Sequence, residues 1–475
     1  MLFNSIPYLI LFFFTYIIYW NISQKGRKPL LILSSLIFYA YFSFPFLFHF
    51  LAVIFINFLF SEIIFKRKSE GKSDKLVLAT VIILNLINLA FFKYFYFVTG
   101  TLYSMFGWEE VKSFAGSMNI FLPLAISFYT FQVIALQVDI HRGILKDKVK
   151  FDDYFLFILF FPQLIAGPIM RSDNFIPQID HPEIDPDRMK KGLFLIIGGL
   201  FKKVVIAENI APIIAPIYMD PSKYDSFSLF FSTLAFGIQI YCDFSGYTDL
   251  ARGSANLLGY EIPENFKGPF LAQSYRDLWS RWHITLSSWL RDYLYIPMGG
   301  SKASVFRSNV NMFITMCLGG LWHGANWAFV GWGAYLGAFL WIERSLYLFR
   351  GKQKILPDTI PFVGFIRFIF VYITFSFSGV FFRAAARGDE AMATVYEIFK
   401  GVLTFRSVGE TLDRVDELPV LVLLGLFFNW LQYSDYTYTK LKPFQNILLP
   451  IFAIVIFLLM GIFGDGGQDF IYFQF

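Results

Sequence analysis

An all-α bundle of membrane-spanning helices is what this sequence predicts, and three observations carry the prediction. Hydrophobic residues make up 56% of the 475 and charged residues only 16%, too little polar surface to wrap a body of this size in water. Apolar runs recur along the chain at lengths close to the roughly 20 residues that a helix needs to cross a bilayer. These runs are also longer and more continuously apolar than the alternating segments of about ten residues that build an outer-membrane barrel.

The runs fall at 6–22, 29–43, 45–65, 76–98, 119–140, 151–170, 226–242, 310–342, 360–383, 418–433 and 444–463, which gives about eleven spans. The first charged residue, Lys25, follows the first run. A cleavable signal peptide would carry its positive charge ahead of that run, so the first helix is expected to be retained. Basic clusters stand at Lys25, Arg27 and Lys28, at Lys66, Arg67, Lys68, Lys72 and Lys75, and at Arg142, Lys146, Lys148 and Lys150, whereas 99–118 carries Glu109, Glu110 and one lysine. The positive-inside rule then puts the amino terminus outside and the three basic loops in the cytoplasm.

Beyond residue 150 simple alternation fails. The run that starts near Asp152 ends in FFPQLIAGPIMR, where Pro162, Gly167 and Pro168 interrupt a helix, and Arg171, Arg188, Lys190 and Lys191 follow on what would be the wrong side. A re-entrant hairpin resolves the conflict, because broken backbone at membrane depth is tolerated only where it is buried in protein or lines a cavity. GGLFKK at 198–203 reads the same way. Residues 262–308 mix Arg276, Asp277, Arg281, Arg291 and Asp292 with Trp279, Trp282, Trp289, Tyr293 and Tyr295, a pattern that suits interfacial helices. No linker or repeat divides the chain. The reading is therefore one membrane domain over 1–475, with amino-terminal helices to 150, a core at 151–345 and a carboxy-terminal block at 346–475.

Two cysteines, Cys242 and Cys317, lie in apolar surroundings 75 positions apart, a number and spacing that suit neither a disulfide framework nor a zinc site. The net charge of +5 reports loop placement and implies no nucleic-acid partner. HExxH, GxxxxGK[ST] and GxSxG are all missing from the sequence, which argues against a zinc protease, an ATP-driven pump and a standard serine hydrolase.

Histidine-centred chemistry remains. In GGLWHGANWAFVGWGAYLGAFLWIE (319–343), His323 is the one ionisable side chain ahead of Glu343, and an ionisable residue inside a membrane span is expensive to keep. Asn326, three residues on, would share a helical face with it and could orient the ring. The structural alternative is a buried histidine bonded to a neighbouring carbonyl. His283, in SRWHITLSSWLRDYLYIPMGG, has Ser287 a turn later and Arg281, Arg291 and Asp292 nearby; catalysis and interfacial anchoring are both open for it. His141 ends the fifth span as a helix-terminal cation, His49 reads as packing, and His181 is a loop residue. Asp243 and Asp249, at the end of an apolar run, either line a polar entrance or cap the next helix. Imidazole titrates nearest neutrality, and burial favours its neutral form, so it is suited to take a proton from a hydroxyl that attacks a thioester.

With these residues in view, the chain resembles a membrane-bound O-acyltransferase of the alginate O-acetyltransferase type, related to the D-alanyl transferase of teichoic acid. The matching motifs are SFYTFQ (127–132), FPQLIAGPIMR (161–171), GLFKKVVIAE (199–208), YCDFSGYTDLA (241–251), PENF (263–266), RWHITLSSWLRDYLYIPMGGS (281–301), GGLWHGANWAFVGWGAY (319–335) and FIYFQF (470–475). The resemblance implies that His323 is the catalytic histidine and His283 a second, upstream one. It implies a bundle around a funnel in a bacterial inner membrane, open to an acyl thioester from the cytoplasm and to an acceptor from outside. It further implies acetyl-CoA as co-substrate with no bound cofactor or metal, and a periplasmic partner of the SGNH hydrolase type that completes transfer to an exported polysaccharide. Asn326, Trp322, Arg281, Asp243 and Gln163 are the substrate-binding candidates. D-alanyl transfer from a carrier-protein thioester is the alternative within this chemistry. A glycan or lipid transporter, its histidines relaying protons, is the alternative outside it.

Overall fold

The computed structural model describes the chain apart from residues 2, 4, 166, 183, 352–360, 434–441 and 464–475, so the FIYFQF ending lies outside the described residues. The described residues form helices and loops with no β-strand. Two compact units are present. One comprises Met1–Leu195 with Leu250–Pro263, the other Ile196–Asp249 with Glu264–Phe475.

In the first unit, helix Ile6–Asn21 buries Tyr8, Thr15 and Tyr19 and exposes Leu9, Ile10, Phe13, Phe14 and Ile17. Tyr8 Oη donates to Ser254 Oγ at 2.7 Å, and Tyr19 Oη to Tyr260 Oη at 3.2 Å. Polar groups thus point inward and bare hydrocarbon outward, the arrangement of a helix whose outer solvent is lipid. Helix Lys75–Phe106 makes the same point: only 17% of its most apolar window is buried, so its hydrophobicity answers to something other than the protein core. Among the described residues, five helices are long and apolar enough to cross a bilayer: Phe44–Ser69, Lys75–Phe106, Ser226–Leu257, Val363–Leu403 and Val415–Gln432. This is a multi-pass membrane protein. Amides join the amino-terminal helices where lipid offers no partner: Asn57 and Asn85 exchange bonds of 3.1 and 2.8 Å, and Gln137 Nε2 donates to the Asn57 carbonyl at 2.7 Å.

The basic clusters assigned to one side of the membrane are tied together. Lys28 pairs with Asp152 and Asp153 at 3.0 and 2.5 Å. Lys68 Nζ donates to the carbonyls of Ile140 and His141 at 2.7 and 2.9 Å, and His141 Nδ1 meets Asp74 at 2.9 Å. A lysine on the last carbonyls of a helix is the favourable sign for its dipole.

Helix Phe151–Leu159 stops short of the predicted span, and the described residues of 160–170 are irregular and buried, as expected of the FPQLIAGP break. Its loose backbone groups are taken up locally. Phe161 N–H donates to Ser35 Oγ at 3.1 Å, and Gln132 Nε2 donates to the Phe157 carbonyl at 2.6 Å.

Four expectations need correction. The 119–140 run becomes helical only at Ile126, because Pro123 and the left-handed Ala125 (φ 60°) interrupt it. GGLFKK does not break the backbone: helix Pro186–Leu200 passes through a π-turn, Phe201–Ala207, into helix Glu208–Met219. The run 226–242 does not end near Asp243, since helix Ser226–Leu257 continues through both aspartates. Neither aspartate is a cap. The 310–342 run is a hairpin of two helices, Val305–His323 and Trp327–Phe349.

The hairpin and the internal aspartates have one explanation each. A Cβ on Gly320 would lie 2.1 Å from the Phe329 carbonyl oxygen, and one on Gly333 2.2 Å from that of Met316, so glycine lets the two backbones touch. Gly333→Ala is therefore expected to disrupt hairpin packing and reduce folded protein recovered in detergent severalfold, measured by size-exclusion chromatography; full recovery would refute the close contact. The aspartates are matched by the two lysines of GLFKK. Lys202 Nζ lies 2.6 Å from Asp249 Oδ2, and Lys203 Nζ lies 2.7 Å from Asp243 and 3.4 Å from Glu208. Their side chains are all nearly inaccessible, so each charge faces an opposite charge instead of water, with two lysines set against three carboxylates.

Candidate active site

Both expected histidines belong to the second unit, and both are buried. His323 is the last residue of its helix. Its ring is walled by aromatic edges and faces: Trp322 and Trp332 at 5.0 Å, Phe382 at 5.3 Å and Phe329 at 6.4 Å between ring centres. Gly324 follows because there is no room for a side chain, whose Cβ would fall 2.2 Å from the Phe329 ring.

Asn326 does not share a helical face with His323, as an unbroken helix would require. It is the N-cap of Trp327–Phe349: its Oδ1 accepts from Ala328 N–H at 2.8 Å and its Nδ2 donates to the Gly388 carbonyl at 3.0 Å. The Gly-Ala-Asn sequence between His323 and Trp327 carries this signal, a helix stop followed by a helix start.

His283 sits at the N-cap of the short helix Ile284–Leu290 in a left-handed conformation, φ 42° and ψ 54°, which a side-chain-bearing residue adopts only when its surroundings enforce it. Asn265 of the PENF motif supplies the enforcement. Its carbonyl accepts from Ile284 N–H at 3.0 Å, and its Oδ1 accepts from Thr285 N–H at 3.2 Å and from Thr285 Oγ1 at 2.6 Å. The imidazole of His283 meets Phe244 at 4.7 Å and Trp322 at 6.1 Å, so both histidines contact the same indole. Among the described residues neither ring nitrogen of His283 has a hydrogen-bond partner, although it is 1% exposed. Leaving such groups unpaired costs about 1–3 kcal/mol each, an expense that core packing alone does not explain.

His283 lies outside the five long apolar helices, and burial pushes its pKa down from 6.5 to about 3. Its ring is neutral at physiological pH. The folded chain refuses a proton that the unfolded chain accepts below the ordinary value, so His283 withdraws stability as pH falls from 6.5 toward 3 and nothing further below. His283→Phe is thus expected to lose less thermal stability than the wild type between pH 7 and pH 5, measured by unfolding in detergent. Equal losses would refute the burial effect.

The remaining candidates take structural positions. Arg281 Nε pairs with Asp277 at 2.7 Å, and Ser287 Oγ donates to the Trp282 carbonyl at 3.2 Å. Asp243 belongs to the lysine network. Gln163 belongs to the first unit, where its Nε2 donates to Gln132 Oε1 at 3.3 Å beside the broken FPQLIAGP backbone. Phe244, Trp332, Phe382 and Asn265 are not singled out as individual residues by the sequence, although Phe244, Trp332 and Asn265 lie in the YCDFSGYTDLA, GGLWHGANWAFVGWGAY and PENF motifs.

Residues 143–384, which include both histidines, match the model of MBOAT, the membrane-bound O-acyltransferase family. The chain belongs to the membrane-bound O-acyltransferase family. It is 36% identical over 387 residues to a probable alginate O-acetylase, AlgI, of Azotobacter vinelandii, covering 81% of this chain and 75% of that protein. It is 32% identical over 450 residues to a peptidoglycan O-acetyltransferase of Helicobacter pylori (85% and 81% of the two chains). It is 28% identical over 250 residues to a teichoic acid D-alanyltransferase of Bacillus subtilis (50% and 63%). As a membrane-bound O-acyltransferase the protein is an enzyme of acyl transfer to hydroxyl groups.

Proposed function

We propose that this protein moves an acetyl group from a cytoplasmic thioester, acetyl-CoA, to a hydroxyl used in O-acetylating an exported polysaccharide, with His323 as general base. The observation that carries this reading is the imidazole of His323 at the end of its helix, enclosed by Trp322, Trp332 and Phe382 and sharing Trp322 with His283. Such an enclosure keeps water from competing with the acceptor. The acceptor oxygen attacks the thioester carbon as its proton passes to His323; the C–S bond then breaks, and the departing thiolate takes that proton back from the imidazolium. Ester and free thiol are the products. The low basicity of His283 suits a neutral ring that positions a reacting group, leaving proton transfer to His323.

The setting we propose is a bacterial inner membrane with the amino terminus outside, in line with the basic loops at 25–28, 66–75 and 142–150. The acceptor is either the polysaccharide itself or a hydroxyl on a periplasmic partner of the SGNH type. Acetyl has more support than D-alanyl as the group moved, because the acetylating relatives match four fifths of the chain and the D-alanyl transferase of Bacillus subtilis half of it. Purified protein given acetyl-CoA carrying a radiolabelled acetyl group is expected to release free thiol and pass label to an acceptor alcohol. Absence of both, in protein that is folded and monodisperse, would overturn the assignment.

A further inference from the structure

An acyl transfer of this kind builds negative charge on the thioester oxygen, and a preorganised donor aimed at that oxygen is commonly worth 100-fold or more, about 10²–10³ in kcat. Asn326, one of the substrate-binding candidates, is not free for this role, since its amide is committed to the Gly388 carbonyl and its oxygen to Ala328 N–H. Asn265 is differently placed. Its Oδ1 accepts from Thr285 N–H and Thr285 Oγ1, and a backbone N–H can bond only to an acceptor, so the amide cannot be turned round and Nδ2 is fixed on the other side. That Nδ2 has no hydrogen-bond partner among the described residues, and the residue is 1% exposed. The next residue, Phe266, lies 5.1 Å from Phe244, the ring against which His283 packs. A buried, oriented, unpartnered N–H donor therefore stands in the shell of the second histidine.

We propose that Asn265 Nδ2 donates to the carbonyl oxygen of the acyl thioester and stabilises the oxyanion formed when the acceptor attacks, an inference that rests on the acetyl-transfer reading. During the step the carbonyl C=O becomes C–O⁻ as the new C–O bond forms, and returns to C=O as the C–S bond breaks. Asn265 donates a hydrogen bond throughout and loses no proton. Its Oδ1 meanwhile keeps the turn of His283 in place, so one side chain serves both geometry and charge.

The two roles separate by substitution. Asn265→Asp keeps an oxygen for Thr285 and removes the donor; Thr285→Val removes one bond to Oδ1 and keeps the donor. With acetyl-CoA as substrate, N265D is expected to lower kcat about 100-fold or more while KM stays within about threefold, and T285V to lower kcat less than about fivefold. Activity of N265D should recover as pH falls, because a protonated carboxyl regains an O–H donor. N265D within fivefold of wild type, or T285V the more damaging of the two, overturns the proposal. Should N265D fail to accumulate, Asn265→Ser and Asn265→Ala decide: the serine hydroxyl can donate, so its kcat is expected to exceed that of the alanine about tenfold, and equal values overturn the donor role. A wild type that turns over no thioester removes the acetyl-transfer reading and this one with it, whereas an active wild type with an unimpaired N265D removes this one alone.

Discussion

His323→Ala is expected to abolish acetyl transfer, lowering turnover at least about 1000-fold, while expression and membrane insertion stay near wild type. The size of the effect follows from the chemistry at one atom. A hydroxyl attacking a thioester must shed its proton as the new bond forms, and the aromatic walls around residue 323 leave bulk water poorly placed to take it. Alanine also removes the ring around which Trp322, Trp332 and Phe382 are packed, so His323→Gln, which retains polarity and much of the volume, should show the same loss. The measurement is acetyl-CoA turnover by protein whose monodispersity in detergent has been checked. Residual activity above a few per cent in either variant would exclude the base role.

The largest expected effect on stability belongs to Lys203. Removing its ammonium by Lys203→Ala leaves Asp243 and Glu208 side by side without their cation, at sites where water scarcely reaches. Breaking a buried pair by deleting one partner costs about 3–5 kcal/mol, because the surviving charge is stranded. The variant is thus expected to unfold many degrees below the wild type in a thermal scan. Replacing the whole cluster, Lys203→Met with Asp243→Leu and Glu208→Gln, should recover much of the loss, since the penalty comes from the orphaned charges more than from the lost attraction. A triple variant as unstable as the single one would show that the network is needed for its shape and not merely for its neutrality.

What the sequence made legible was governed by composition and by local punctuation. Membrane class followed from the apolar runs, and the break after Leu159 from Pro162, Gly167 and Pro168. His323 stood out because an ionisable residue among apolar neighbours has few inexpensive explanations. Pairings between distant segments stayed hidden. Lys202 and Lys203 suggested an interruption, and Asp243 and Asp249 a helix end, because each pair viewed alone is too polar for a continuous buried helix. Set against each other they cancel, and both helices run on. Asn326 presents the converse case: the apolar run continues through Gly324–Asn326, where backbone chemistry reverses the chain. The role of Asn265 lies in the left-handed turn at His283 that its oxygen holds, a contact between segments about twenty residues apart that no local pattern encodes.

The glycine contacts between Val305–His323 and Trp327–Phe349 bear on how an enzyme of this kind would work as a machine. With no side chains between the two backbones at Gly320 and Gly333, the pair behaves as a splint, and the backbone that carries the imidazole at its tip cannot shift without carrying both helices along. Traffic of a bulky donor and acceptor past that ring must then be accommodated by the surrounding segments. The bend at Gly388, tethered to the splint through Asn326, is one place where such yielding can begin.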